Sequence, residues 1–140
     1  MELKVKRIHP EANIPGYSLP QDAGMDLFSS IDIDIKPREI KAIPTGIQVA
    51  VPAGYVGLIW DKSGLSLEGL HRLAGVIDSG YRGEVKVVMV NLGNKVFPIK
   101  KGMKIAQMLV QPISSVKVVE VDRLEETPRG DKGFGSTGRF

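Results

Sequence analysis

The chain of 140 residues contains no cysteine, which excludes a disulfide framework, a thiolate metal site and a cysteine nucleophile. Histidine is almost as scarce. Only His9 and His71 occur, so a three-histidine zinc site is excluded, and a histidine-based hydrolase would rest on His71 alone. There is no apolar run of the ~20 residues a membrane-spanning helix needs. The start, Met1-Glu2-Leu3-Lys4-Val5-Lys6, has no hydrophobic stretch of the signal-peptide kind. The chain therefore reads as intracellular and cytoplasmic, with no membrane partner. Charge of one sign does not accumulate either. Lys and Arg number 19 against 16 Asp and Glu, a net charge of +3, and the basic residues are scattered. A solvated surface accounts for that pattern, and no stable nucleic acid binding is expected from it. No segment sustains a 3.6-residue apolar period over the length of a real helix.

What is present is the composition of one ordinary globular domain, 42% hydrophobic and 25% charged. Its patterns are those of short strands. Ile31, Ile33 and Ile35 alternate with Asp32 and Asp34, a strand with one wet face that Pro37 closes. Ile47 to Val51 and Tyr55 to Trp60 flank the turn Pro52-Ala53-Gly54. Glu84 to Asn91 is apolar on both faces from Val87 to Val90, as a central strand would be. Ile105 to Val110 follows the breaker Gly102, Leu3, Val5 and Ile8 suggest a first strand, and Val116, Val118 and Val121 suggest a last one. Ser66 to His71 has room for one helical turn. Many short strands punctuated by Gly and Pro predict an all-β fold, a jelly-roll-like barrel or sandwich. Trp60, Met89, Met103 and Met108 are expected in packing roles. A break at Glu125-Glu126-Thr127-Pro128 divides a body (1–126) from a tail (127–140).

Three loops and the tail carry chemistry. Asp22-Ala23-Gly24-Met25-Asp26-Leu27 places two acids and a glycine before a strand. Asp61-Lys62-Ser63-Gly64 sets a cation, a hydroxyl and free backbone N–H groups in sequence, as a phosphate site does, without the spacing of a P-loop. Gly75-Val76-Ile77-Asp78-Ser79-Gly80-Tyr81-Arg82-Gly83 reads as a hairpin tip that holds one carboxylate close to one aromatic ring. The tail, Arg129 to Phe140, is rich in glycine, which loses the most backbone entropy on ordering. Yet it carries Arg129, Phe134, Ser136 and Thr137, groups that suit phosphate oxygens and the flat face of a base.

In order and at fitting spacings, Ala23-Gly24-Met25-Asp26-Leu27, Lys62-Ser63-Gly64-Leu65, Gly75 to Gly83, Gly102-Met103-Lys104-Ile105-Ala106-Gln107, and Arg129-Gly130 through Gly133-Phe134-Gly135-Ser136-Thr137-Gly138 resemble the five ordered motifs of the trimeric dUTP diphosphatases (dUTPases). The resemblance implies a β jelly roll that forms homotrimers with shared active sites, and hydrolysis of dUTP to dUMP and pyrophosphate with Mg²⁺ as cofactor. It makes Asp78 the base that activates the attacking water. An ordinary aspartate, ionising near pH 3.9, can accept a proton at neutral pH without tuning. Gly75, Ile77, Tyr81 and Phe134 are implied to hold base and sugar. Lys62, Ser63, Gly64, Gln107, Arg129, Gly135, Ser136 and Thr137 are implied to hold phosphates. Asp26 is implied to touch magnesium through water, with the metal held mainly by the triphosphate. Three positions depart from the family pattern. Lys62 stands for a usual Arg and loses its bidentate fork, Gly80 stands for a frequent second Asp, and Lys132 replaces a common Gly. Arg72 occupies a position near the base and has no assigned role. The same fold hosts dCTP deaminases, which need a proton-shuttling Glu where this chain has Val88. A non-catalytic nucleotide-binding homologue is the other alternative.

Overall fold

The computed structural model describes residues 1–134 and 136. Ten short strands and one short helix follow one another. These are β1 (Lys4–Arg7), β2 (Met25–Phe28), β3 (Ile33–Ile35), β4 (Ile40–Ala50), β5 (Tyr55–Trp60), α1 (Ser63–Leu67), β6 (Leu70–Leu73), β7 (Val76–Ile77), β8 (Glu84–Asn91), β9 (Phe97–Ile99) and β10 (Lys104–Pro112). They form two four-stranded antiparallel sheets, ordered β1-β4-β8-β6 and β2-β10-β5-β7, and a two-stranded ribbon of β3 with β9. This is the jelly-roll-like, all-β architecture that the strand pattern predicts. Among the described residues no helix is long and apolar enough to cross a membrane.

Alternation places the core. Val85, Val87 and Met89 of β8 lie beside Ile43, Ile47 and Val49 of the neighbouring β4 and share one core with Ile105, Ala106 and Met108 of β10 in the other sheet, all of them buried. Each such side chain withdrawn from water contributes roughly 1.5–3 kcal/mol. The other face of β8, Val88 and Val90, is half-buried, so this strand is apolar on both sides as its sequence suggests. Met89 and Met108 are core residues, and Met103 packs against the core from its edge.

Two irregularities matter for the site. The pairing of β4 with β8 shifts between Pro44 and Gln48 around Gly46, whose φ of 72° only glycine adopts without strain. The pairing of β10 with β2 shifts between Lys104 and Ala106, leaving Ile105 as the extra residue of a bulge.

Residues 113–134 contain no strand, which differs from the expectation at Val116 to Val121. Valine alternation is there, but Val116 is 78% and Val118 90% exposed, and no neighbouring strand of this chain lies alongside to satisfy the backbone.

Candidate active site

The turn between β7 and β8 forms the first half of the site; it is not the hairpin its sequence suggests, because β7 pairs with β5 and β8 with β4 and β6, so the chain crosses here from one sheet to the other. Asp78 and Tyr81 are the ends of one tight turn, closed by the Tyr81 N–H donating to the Asp78 carbonyl at 3.0 Å. The Tyr81 ring folds back over Gly83, and its hydroxyl donates to the Glu84 carbonyl at 3.0 Å. A Cβ on Gly83 would overlap that ring, so the glycine is what lets the tyrosine lie there. The Asp78 side chain is exposed at the tip.

Beside this turn lies a cavity of about 220 Å³, lined by Ile59, Gly75, Ile77, Tyr81 and Val88 among others. Its walls are mainly apolar, and Val88 offers no proton-carrying group. Its floor depends on backbone conformation. Gly75 has φ of 114°, and a Cβ there would sit 3.0 Å from that of Ile59. The Gly75 carbonyl accepts from the Ile59 N–H at 2.8 Å. Ala74 is also left-handed, with φ of 60°, and the Arg72 guanidinium donates to its carbonyl at 2.9 Å. Non-glycine residues take this conformation only when their surroundings hold them there.

The second half is built by charge. Asp26, on β2, is 3% exposed. Its carboxylate meets the Lys62 ammonium at 2.5 Å and the Lys104 ammonium at 2.6 Å, and accepts from the Ser18 hydroxyl at 2.7 Å. Burial alone would raise its pKa, but the hydrogen bonds from Lys104, Lys62 and Ser18 outweigh it and hold the carboxyl at about 2. Gln107 pairs across the ladder with Asp26. Its side chain passes over Gly24, where any Cβ would overlap it, and donates to the Asp61 carbonyl at 2.8 Å. Ser63 and Gly64, both exposed, open α1 directly after Lys62.

Asp61 joins the two halves. Its carbonyl holds Gln107, while its carboxylate accepts from the Arg72 N–H at 2.7 Å and lies 2.7 Å from His71 Nδ1. Sequence reasoning left Arg72 without a role and Asp61 as one residue of a loop. Their partnership joins the end of β5 to a strand ten residues on, and no local signal reveals it. Trp60, expected in a packing role, is 48% exposed, with the Arg72 guanidinium 4.6 Å from its ring centroid. Its packing partner is a cation at the surface.

Gly75, Ile77 and Tyr81 thus line one cavity, Asp78 stands exposed between the last two in sequence, and Lys62, Gln107 and Asp26 form one cluster. The tail residues stand apart from both. Phe134 is fully exposed, and the Arg129 side chain donates within the tail, to the Lys132 carbonyl at 3.2 Å. Ser136 closes a turn onto the Gly133 carbonyl at 3.0 Å. Gly135 and Thr137 lie outside the described residues.

Known proteins with this arrangement agree on a family. The dUTPase family pattern matches residues 10–138. The deoxyuridine 5'-triphosphate nucleotidohydrolase of Clostridium kluyveri is 53% identical over 99% of both chains, and that of Clostridium novyi is 47% identical over the same shares. The solved dUTPase of Staphylococcus bacteriophage 80alpha with dUPNHPP superposes with a TM-score of 0.92 at 31% identity, covering 98% of each chain. A dUTPase from phage phi11 of S. aureus, described with a structural Mg(II) ion, has a TM-score of 0.84 at 27% identity, with 90% of this chain and 100% of that one covered. Matched over residues 10–138 and by relatives along nearly its whole length, the chain belongs to the dUTPase family, enzymes that hydrolyse dUTP.

Proposed function

We propose that the chain cleaves dUTP to dUMP and pyrophosphate by attack of water on the α-phosphorus, with Asp78 as general base. The observation that carries this reading is the turn that holds Asp78, exposed, directly after Ile77 and closed onto Tyr81, two residues that line the apolar cavity. Uracil enters that cavity between Ile77 and Val88, and the backbone of β7, β8 and the turn between them reads its edge. Tyr81 lies against the deoxyribose and leaves no space for a 2′-hydroxyl. The water between Asp78 and the α-phosphate gives its proton to the carboxylate as the new P–O bond forms. The bond to the β-phosphate oxygen breaks, and pyrophosphate departs.

Lys62, Ser63, Gly64 and Gln107 hold the phosphate chain, with Arg129, Gly135, Ser136 and Thr137 of the tail on the outer phosphates and Phe134 stacked on the base. Among the described residues no cluster of three or more Asp, Glu, His or Cys side chains could cage a metal. That donor set suits a magnesium ion carried in on phosphate oxygens, which keeps several waters and few protein ligands. When bound, Mg²⁺ neutralises phosphate charge and favours departure of pyrophosphate. The body (1–126) and tail (127–140) divide the work between chains of a homotrimer. Ile113, Val116, Val118, Val119 and Leu124 are exposed along one arm, as expected of a segment that packs on a neighbour. In the cell the reaction limits uracil in DNA and supplies dUMP for thymidylate.

Product analysis with Mg²⁺ and dUTP, dCTP, dTTP and UTP, supplied separately to the full chain and to a chain ending at Pro128, tests the reading. The expected products are dUMP and pyrophosphate from dUTP alone, with little from the shortened chain although it remains a trimer by light scattering. Ammonia from dCTP would identify a deaminase. No turnover would leave a nucleotide-binding regulator, and a fully active shortened chain would remove the tail from the mechanism.

A further inference from the structure

We infer that Lys104 is a polyphosphate-binding residue, and that Asp26 is a positioning residue presenting Lys62 and Lys104 to the substrate rather than a magnesium contact. The inference rests on the dUTP-hydrolysing reading above. Asp26 lies at the centre of the cluster, its side chain only 5% exposed, while those of Lys62 and Lys104 are 31% and 47% exposed. The carboxylate is buried while the two lysine side chains remain partly exposed, so an approaching ligand meets the lysines before the acid. One ammonium suffices to neutralise one carboxylate. The second leaves the cluster with an uncompensated positive charge, which suits a polyanion.

The carboxylate itself has little left to offer a hydrated cation. One oxygen faces the Lys62 ammonium, and the other takes Lys104 and the Ser18 hydroxyl. Magnesium water would have to displace an ammonium to reach it. Lys104 also donates to Ser18 at 2.8 Å, so its reach is fixed from two sides.

The bulge in β10 puts this lysine where it can act. Lys104 and Gln107 are three residues apart, and in a regular strand they would point to opposite faces. The extra residue Ile105 changes the count, so Gln107 pairs with Asp26 and Lys104 with Phe28. Asp26 and Phe28 are two apart on β2 and share a face, and so do their partners. Ile105 and Ala106 are both fully buried, while Lys104 and Gln107 both reach outward. Lys62, Lys104 and Gln107 therefore converge on one patch, although two of them come from a strand whose ordinary period would separate them.

The test is calorimetric binding of α,β-imido-dUTP and of dUMP in EDTA, with no divalent metal present. Lys104→Gln is expected to weaken imido-dUTP about tenfold, the scale of one charge-assisted bond, while dUMP binding changes less than twofold. Lys104→Arg restores the affinity. Asp26→Asn is expected to weaken imido-dUTP in the same buffer, where there is no metal contact to lose. Unchanged binding in Lys104→Gln, or equal loss for both ligands, overturns the assignment of Lys104. An Asp26→Asn protein that binds normally in EDTA and differs only in the magnesium it requires overturns the positioning role. Because Asp26 is buried, its variant can fail to fold, and the exposed Lys104 variants then decide. Wild-type protein that binds neither nucleotide overturns the dUTP reading and this inference together.

Discussion

The cavity proposed for the base and the cluster proposed for the phosphates are made by opposite means. The cavity between β7 and β8 is defined by absent atoms. Gly75 and Gly83 tolerate no Cβ, Tyr81 lies flat because Gly83 has none, and the lining is mainly aliphatic. The cluster around Asp26 is defined by formal charge, with two lysines gathered on one buried carboxylate. Shape of the first kind is indifferent to salt and to pH. Charge of the second kind is screened beyond about 10 Å at ordinary ionic strength and can be titrated. A small flat base and a flexible polyanion need these two different instruments, and Asp61 ties the two halves together through Arg72 and Gln107.

The sharpest way to separate the two is to change charge without shape. Asp78→Asn keeps the turn, whose bond runs from the Tyr81 N–H to a backbone carbonyl. We expect kcat for dUTP to fall by roughly 10²–10⁴-fold, the share usually carried by a general base, with imido-dUTP affinity nearly unchanged. Near-normal turnover in a stopped-flow assay would remove Asp78 as the base. Next in size is a change of shape without charge. Gly83→Ala forces the Tyr81 ring off its seat, at a cost of about 1–3 kcal/mol, and the ratio of kcat/KM for dUTP over UTP should drop roughly tenfold. An unaltered ratio would mean that Tyr81 does not read the sugar.

The smallest effect comes from acid. Asp26 is held at about 2, below its ordinary value of 3.8, so the folded state binds this proton less readily than the unfolded chain. Its contribution is complete above pH 4 and is lost as pH falls from 3.8 toward 2. Denaturant titrations across that window should show stability falling with pH, with a shallower fall in Asp26→Asn. Identical slopes in the two proteins would mean that the lysines do not hold the carboxylate in solution.

Legibility in the sequence followed the same division. Tyr55 to Trp60 and Glu84 to Asn91 coincide with β5 and β8, because apolar runs between turn residues have few other structures open to them. The first half of β4, Ile40 to Pro44, was hidden. Ile40 and Ala42 face outward there, and Pro44 argues against a central strand until the bulge beside it is known. Strands β2, β6, β7 and β9 have two to four residues each and are too short for a period to register. Val116 to Val121 carries strand chemistry with no strand to pair with in its own chain, and sequence cannot distinguish an edge within the chain from one supplied by a neighbour. In the candidate site, the meeting of Gly75, Ile77 and Tyr81 at one cavity was readable because they lie within a single short segment of the chain. Asp61, Arg72 and the aim of Lys104 were not. Each depends on a partner brought close by folding, as does the packing of Trp60, whose covering cation lies on another strand.

The bulged residue Ile105 also makes the spacing of β10 a matter of arithmetic. Between Lys104 and Gln107 the strand holds two residues, both fully buried, where a regular ladder has room for one inward position. Removing the extra one would restore the period of two and leave the lysine and the glutamine two apart, still on one face. The bulge therefore serves the core: it adds a second buried apolar side chain to this short segment without turning either polar residue away from the side they share.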